Sequence, residues 1–358
     1  MIKKIFLKFF IFFSSSILFF VLGEFFIRLT NLDIKIIKTN LYYQDENLAL
    51  FQPSKNVKKI FEMIPNQKIS IMGRDFEINN FGFRDKKREL DKGDKYRIIV
   101  VGDSNTFGQN VKDDETYTRL LEEKLNVKHG NKFEIWNAGI PAQALSQKIE
   151  TAEEMISKYN PNLLIIQDNN GERRSFLANQ ELEYYFKNNP EIFRENIPLI
   201  FNDNIKFLKF HYYFVDHLSI YRFIMASVNN YIIVPKIREA QEKMKSGLTY
   251  TKSHLPIRGF NDYSNERNIR DFDNFLARHK DRKIIIFDSL SELYCNGGRG
   301  ITRHGVINNA EQYQNLDYFS LCNHNEKPDI YLDSHPPPEA YEWYADELIK
   351  MLEQKGYI

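Results

Sequence analysis

Cysteine is almost missing from this chain: Cys295 and Cys322 are the only two in 358 residues. No His or Cys near them stands at zinc-site spacing, and His211, His217, His254, His279, His304 and His324 form no His-Glu-x-x-His pattern. No metal and no cofactor is therefore expected. If the domain is exported to an oxidising compartment, the two thiols either pair across the intervening loop or stay unpaired. Charge of one sign is missing too, since 49 Lys+Arg meet 48 Asp+Glu. A chain so balanced has no global field to draw in nucleic acid, and that class of partner is not expected. There is no Gly-x-Ser-x-Gly elbow, no phosphate loop ending in Gly-Lys-Ser/Thr, no internal repeat and no low-complexity tract.

A long apolar run is present. After Lys3 and Lys4, residues Ile5 to Gly23 are apolar except for Lys8 and a serine trio, and Glu24 and Arg28 mark the far side. A membrane-crossing helix needs roughly 20 apolar residues, and Lys8 can snorkel to the headgroups. The positive flank precedes the run, so the N-terminus is expected inside and the remainder extracytoplasmic, on the periplasmic side. A cleaved signal peptide wants small residues at its cleavage site, whereas this run ends Val21-Leu22-Gly23-Glu24. No Cys follows it to accept a lipid. An uncleaved anchor over residues 1–30 is the favoured reading.

Residues 31–95 read as a mixed, partly extended N-terminal extension. Asn79 to Arg84 carries a turn signal beside aromatics, and the charged run Asp85 to Lys95 reads as a solvated connector. From there strands and helices alternate. Strands are expected over 97–102, 133–137, 162–167 and 283–288, the first an apolar run from Ile98 onward of the kind buried on both faces. Helices are expected over 116–125, around 145–159, near 266–280, and after Pro336, Pro337 and Pro338. Alternation breaks over about 175–270, an aromatic-rich stretch that reads as a mainly helical insertion into a domain of residues 96–358. The pattern implies an open, mostly parallel α/β sheet, whose ligands bind at the carboxyl ends of the strands.

Gly102-Asp103-Ser104, Asn137-Ala138-Gly139 and Asp168-Asn169-Asn170 fall at three such ends, and Asp333-Ser334-His335 precedes the last helix. Nucleophilic acyl transfer needs this set: a serine, a base to take its proton, an acid to orient the base, and N–H donors for the developing oxyanion. Each piece alone has a plainer explanation as a helix cap or a turn. Their order and placement together carry the argument.

The run Ile98 to Gly108, with Gly102-Asp103-Ser104 at its centre, resembles the first sequence block of SGNH/GDSL hydrolases. Asn137 to Ala142 resembles the second block, and Asp333-Ser334-His335 the fifth. Asn79-Asn80-Phe81-Gly82-Phe83-Arg84 is similar to an element that precedes the catalytic domain in membrane-anchored members. The resemblance covers roughly residues 75–172 and 325–354. It implies a flavodoxin-like three-layer sandwich, with Ser104 as nucleophile, His335 as general base and Asp333 as orienting carboxylate. It also implies an oxyanion hole from the amides of Ser104 and Ala142 and an asparagine side chain near 170. The sequence departs from the family in three places. Ala142 stands where a glycine is usual, though its N–H survives. An ungapped third block puts Gly171 at the asparagine position, a one-residue slip gives Asn170, and Asn169 is a further alternative. Asp-x-His replaces the commoner Asp-x-x-His.

The function so implied is a membrane-anchored serine hydrolase of O-acyl esters, with an acylated envelope carbohydrate or lipid as its substrate. An O-acetyltransferase of the same fold and a catalytically silent binding protein are the alternatives.

Overall fold

In the computed structural model of the chain the described residues are 2–36, 50–59, 61–71, 74–141, 143, 145–168, 205–228, 231–232, 235, 269–289, 313–321 and 335–358. The chain divides into two compact units. One gathers Met1–Gln44, Pro53–Ile60 and Ser175–Phe260, and the other Asp45–Gln52, Phe61–Arg174 and Asn261–Ile358.

The first unit is helical. Helix α1 (Ile2–Thr30) carries the apolar run, and residues 5 to 22 along it are exposed. The short α2 (Leu32–Lys35) follows, and α6 (Ile205–His217) and α7 (Ser219–Val228) form a hairpin. The far end of α1 is built into this hairpin. The Glu24 carboxylate accepts the amides of Ser219 at 3.0 Å and Ile220 at 2.8 Å, two of the donors that a helix start leaves without intrahelical partners. Arg28 pairs with Glu24 and donates to the His217 carbonyl at 2.9 Å. Behind them Arg222 donates to Asp33 at 2.7 Å, to the Val215 carbonyl and to Ser219 Oγ, all of it buried.

The second unit opens with short strands. β1 (Phe51–Pro53) and β2 (Phe61–Met63) form one two-stranded sheet, and β3 (Gln67–Ile71) and β4 (Arg74–Ile78) form an antiparallel pair. Its main sheet has five parallel strands: β5 (Tyr96–Gly102), β6 (Phe133–Gly139), β7 (Leu163–Asp168), β8 (Ile284–Asp288) and β9 (Leu316–Ser320). They lie in the order β6-β5-β7-β8-β9. The fold class expected from the alternating pattern is thus the one found. The central strands are apolar over Ile98–Val101, Leu163–Ile166 and Ile284–Phe287 because both faces are covered. Ile98, Val100, Leu163, Ile165, Ile285 and Phe287 turn to one face, where they pack with Tyr117, Leu121 and Leu125 of α4 (Tyr117–His129) and with Tyr341, Tyr344 and Leu348 of α9 (Pro338–Gln354). The alternate residues turn to the other face, as a strand's two-residue period requires, and α5 (Leu145–Tyr159) lies against β5 and β7. Burying one such aliphatic or aromatic side chain stabilises by about 1.5–3 kcal/mol, so this double-sided core holds the strand ends rigidly. A further helix, α8, is described over 269–278 and buries Phe272, Phe275 and Leu276.

Two departures from the sequence reading have physical causes. The charged run is not simply a solvated connector: Asp85 and Arg88 are buried, with Arg88 donating to both Asp85 oxygens at 2.8 and 3.0 Å. Arg88 also meets Glu122 at 2.7 Å and the Ile135 carbonyl. Mutual neutralisation takes these charges out of water, which composition alone does not reveal. Strand β9 was not anticipated at all. It is an edge strand, buried at Leu316 and only partly covered from Asp317 to Ser320, so it lacks the apolar run that marked its neighbours.

Candidate active site

In this strand order the chain passes from β5 to β6 on one side and returns to β7 on the other. At such a reversal open α/β sheets bind ligands outside the carboxyl ends of the two flanking strands, here β5 and β7. Ser104 is the first residue beyond the Asp103 cap there, at the start of the four-residue helix α3 (Ser104–Phe107), and is part-buried.

Both ends of that short turn are fixed. At its start the Asp103 carboxylate accepts the Asn105 amide at 2.9 Å and pairs with Lys148 Nζ at 2.9 Å, where Lys148 is 0% exposed. Gln167, from β7, accepts both the Asp103 amide and the Thr106 hydroxyl at 3.2 Å and donates to Ser289 Oγ at 2.9 Å. At its far end Gly108 adopts φ +85°, a left-handed conformation that favours glycine, and its amide returns to the Ser104 carbonyl at 2.9 Å. There Arg84, the last residue of the Asn-x-x-Gly-Phe-Arg element, spreads its guanidinium over the turn. It donates to the carbonyls of Phe107 (3.0 Å), Gly108 and Val111 (2.6 Å) and to Asp113 (2.6 Å), with its charge over the Phe76 ring at 4.3 Å.

The second block packs against the same turn. Asn137 donates to the Thr106 carbonyl at 2.7 Å and accepts the Gly139 amide at 3.0 Å, while the Ile140 amide reaches the Gly102 carbonyl at 2.9 Å. A Cβ on Gly139 would come within 2.3 Å of the Phe107 amide nitrogen, so only glycine allows this approach. Tyr117 meets Thr106 Oγ1 at 2.8 Å, and burial pushes its phenol above the ordinary tyrosine value, leaving it a neutral partner.

His335 stands just before α9 and is part-buried. Asn110 Nδ2 donates to the His335 carbonyl at 3.1 Å, and Tyr341 in the first turns of α9 donates to the Asn105 carbonyl at 2.8 Å. These two bonds bring the main chain of the histidine segment to the serine segment across more than 200 residues of sequence. Ser104 Oγ itself makes no hydrogen bond among the described residues. Catalytic hydrogen bonds often tighten only when substrate is bound. Asp333, Ala142 and Asn170, with the alternatives Asn169 and Gly171, lie outside the described residues, as do Cys295 and Cys322.

Sequence reasoning missed Lys148, Gln167 and Asn110. Lys148 carried a usable signal, because it falls three residues after Leu145 and one before Ile149, on the face of α5 that the helical period sends to the core. Among the described residues, five buried side chains have a polar atom without a partner. Three of these, Asn105, Gln143 and Ser146, follow the ends of β5 and β6. Buried polar atoms are ordinarily satisfied, so their concentration here fits a site that receives a polar ligand. No grouping of His, Cys, Asp and Glu suited to a metal occurs among the described residues.

No protein-family model matches the chain, and no curated protein matches it. Solved structures do. It is similar to the psychrotrophic esterase EstA from Pseudoalteromonas sp., at 10% identity over 74% of this chain and 100% of that one, with a TM-score of 0.41. It is similar to the acetyl xylan esterase AlAXEase, at 13% identity over 72% and 99%, with a TM-score of 0.37. A third is AlinE4, an SGNH-hydrolase family esterase, at 13% identity over 74% and 97%, with a TM-score of 0.31. The strand order and register described above establish this chain's α/β fold independently of them.

Proposed function

We propose that the chain is a serine-dependent ester hydrolase with Ser104 as nucleophile and His335 as general base. The observation that carries this reading is the placement of Ser104 on a braced turn at the strand-order reversal, with the His335 segment hydrogen-bonded to the same turn through Asn110. His335 takes the Ser104 proton as Oγ bonds to the ester carbonyl carbon, and the carbonyl π electrons move to oxygen. The Ser104 amide and the donors assigned to Ala142 and Asn170 hold that oxyanion, and Asp333 orients the imidazole. Collapse expels the alcohol, which takes the proton from His335, and leaves an acyl-serine. Water, deprotonated by His335, then releases the acid and restores the serine.

The substrate class of this reading is an O-acyl group on an envelope carbohydrate or lipid, with the chain held in the membrane by α1. Retention of α1 is supported by its far end, since a cut at or beyond the Glu24–Phe25 bond would strip α7 of the carboxylate that caps it. A sugar hydroxyl in place of water would make the same site an acyltransferase.

Treatment of the full chain with a fluorophosphonate, followed by peptide mass spectrometry, tests the assignment. The adduct is expected on Ser104 and is lost in His335→Ala. A folded protein that takes no label would return the chain to the class of binding proteins. Chemical analysis of envelope esters after deletion separates the two enzymes: excess acyl groups mark a hydrolase, and lost ones a transferase.

A further inference from the structure

We propose that the α6–α7 hairpin is a membrane-seated element, with an exposed apolar surface that lies in the headgroup layer of the bilayer crossed by α1. This rests on the reading of α1 as a membrane-crossing helix. A hydrocarbon layer about 30 Å thick takes roughly 20 helical residues at 1.5 Å each. Counted from Ile5, the far edge falls at Glu24. Counted from Phe9, with Lys8 left among the headgroups, it falls at Arg28.

Those two residues are the ones that hold the hairpin. Glu24 accepts the first amides of α7, Arg28 donates to the last residue of α6, and a Cβ on Gly23 would sit 3.4 Å from the Ile220 side chain. Either way of counting places the turn between α6 and α7 at the membrane edge. Tyr213 and Ile224 stand on either side of that turn, within about 8 Å of it along their helix axes.

The distribution of exposed apolar side chains points to lipid as the occupant. Outside α1, the described chain has seven large exposed hydrophobic residues. Five of them are Phe210, Tyr213, Ile224, Tyr231 and Ile232, at 50–68% exposure. All five belong to the unit that contains α1. Two are tyrosines, whose apolar ring and polar hydroxyl suit the boundary between hydrocarbon and water. On the inner side Asp33 pairs with Arg222 and Glu24 with Arg28, so these four charges are matched within the unit.

The test places a photoreactive phenylalanine analogue at Tyr213, Ile224 or Tyr231 of the full chain, reconstituted in vesicles of phosphatidylethanolamine and phosphatidylglycerol. Phe19 in α1 is the inserted reference and the exposed Val127 of α4 the aqueous one. Lipid adducts at these three positions are expected at least about tenfold above Val127 and within about threefold of Phe19. Adducts at Phe19 with only background at the hairpin overturn the proposal and leave the anchor standing. Background at Phe19 as well removes the anchor and the proposal together. Adducts of twice the chain mass would replace the lipid by a second copy.

Discussion

The chain twice uses the same local device, an acid that accepts amides at a helix start while paired with a cation, in opposite surroundings. Asp103 caps α3 against Lys148, with side chains 6% and 0% exposed. Glu24 caps α7 against Arg28, with side chains 16% and 59% exposed. Coulomb attraction is several times stronger in a dry interior than beside water, and so is the cost of losing one partner. The buried version makes a single rigid turn out of four residues. The exposed version joins the end of α1 to the start of α7. Near-identical bonding thus fixes the Ser104 turn in one place and fastens α1 to α7 in the other.

The largest effect is expected where the pair is dry. Lys148→Met should destabilise the folded chain by about 3–5 kcal/mol by leaving Asp103 buried without its cation, measured by urea unfolding of the detergent-solubilised protein. The double variant Lys148→Met with Asp103→Asn should recover part of that loss while fluorophosphonate labelling of Ser104 stays low. A single variant as stable as wild type would show that the pair is not dry and erase the contrast.

Next comes the other end of the same turn. Arg84→Lys keeps a charge but cannot span three carbonyls and Asp113, and should cost about 1–3 kcal/mol with slower labelling of Ser104. Unchanged labelling at temperatures where the variant is folded would make Arg84 a purely structural residue.

Another buried acid sharpens the point through pH. Burial pushes the Glu122 carboxyl up, but Arg88, Lys86 and the Ile135 amide outweigh it and hold it below the ordinary carboxylate value. Its contribution is therefore present above pH 4.5, the ordinary value, and is lost as pH falls through the depressed one. In Glu122→Gln, the fall in urea midpoint through that acid window should be shallower than in wild type. Equal slopes would mean that Glu122 gains nothing from its partners.

Glu24→Gln should have the smallest effect, about 1 kcal/mol or less in thermal unfolding, because Arg28 is largely exposed and water screens the pair. A loss as large as that from Lys148→Met would place this junction in dry surroundings and reverse the comparison.

Much of the sheet was readable in advance because its signals are local. The β-branched run before Gly102, the period of α5 and the prolines before α9 each gave an element within a few residues of its observed bounds. The edge strand β9 gave no such signal, and nothing in the spacing of Asp85, Arg88 and Glu122 announced that they neutralise one another in the interior. Ser104 and His335 were visible as residue types in a telling order. Lys148, Gln167 and Asn110 were not, because their roles depend on which strand lies beside which.

The sequence by itself determined the alternation of strands and helices, the apolar helix at the N-terminus and the segments that carry a serine and a histidine. Those properties follow from composition and period over a dozen residues. Only the tertiary structure decided that β7 lies beside β5, so that Gln167 reaches the serine turn, that Lys148 faces Asp103, and that Glu24 caps a helix almost 200 residues away. Such contacts are selected by burial of whole faces, a collective gain that no short window of sequence contains.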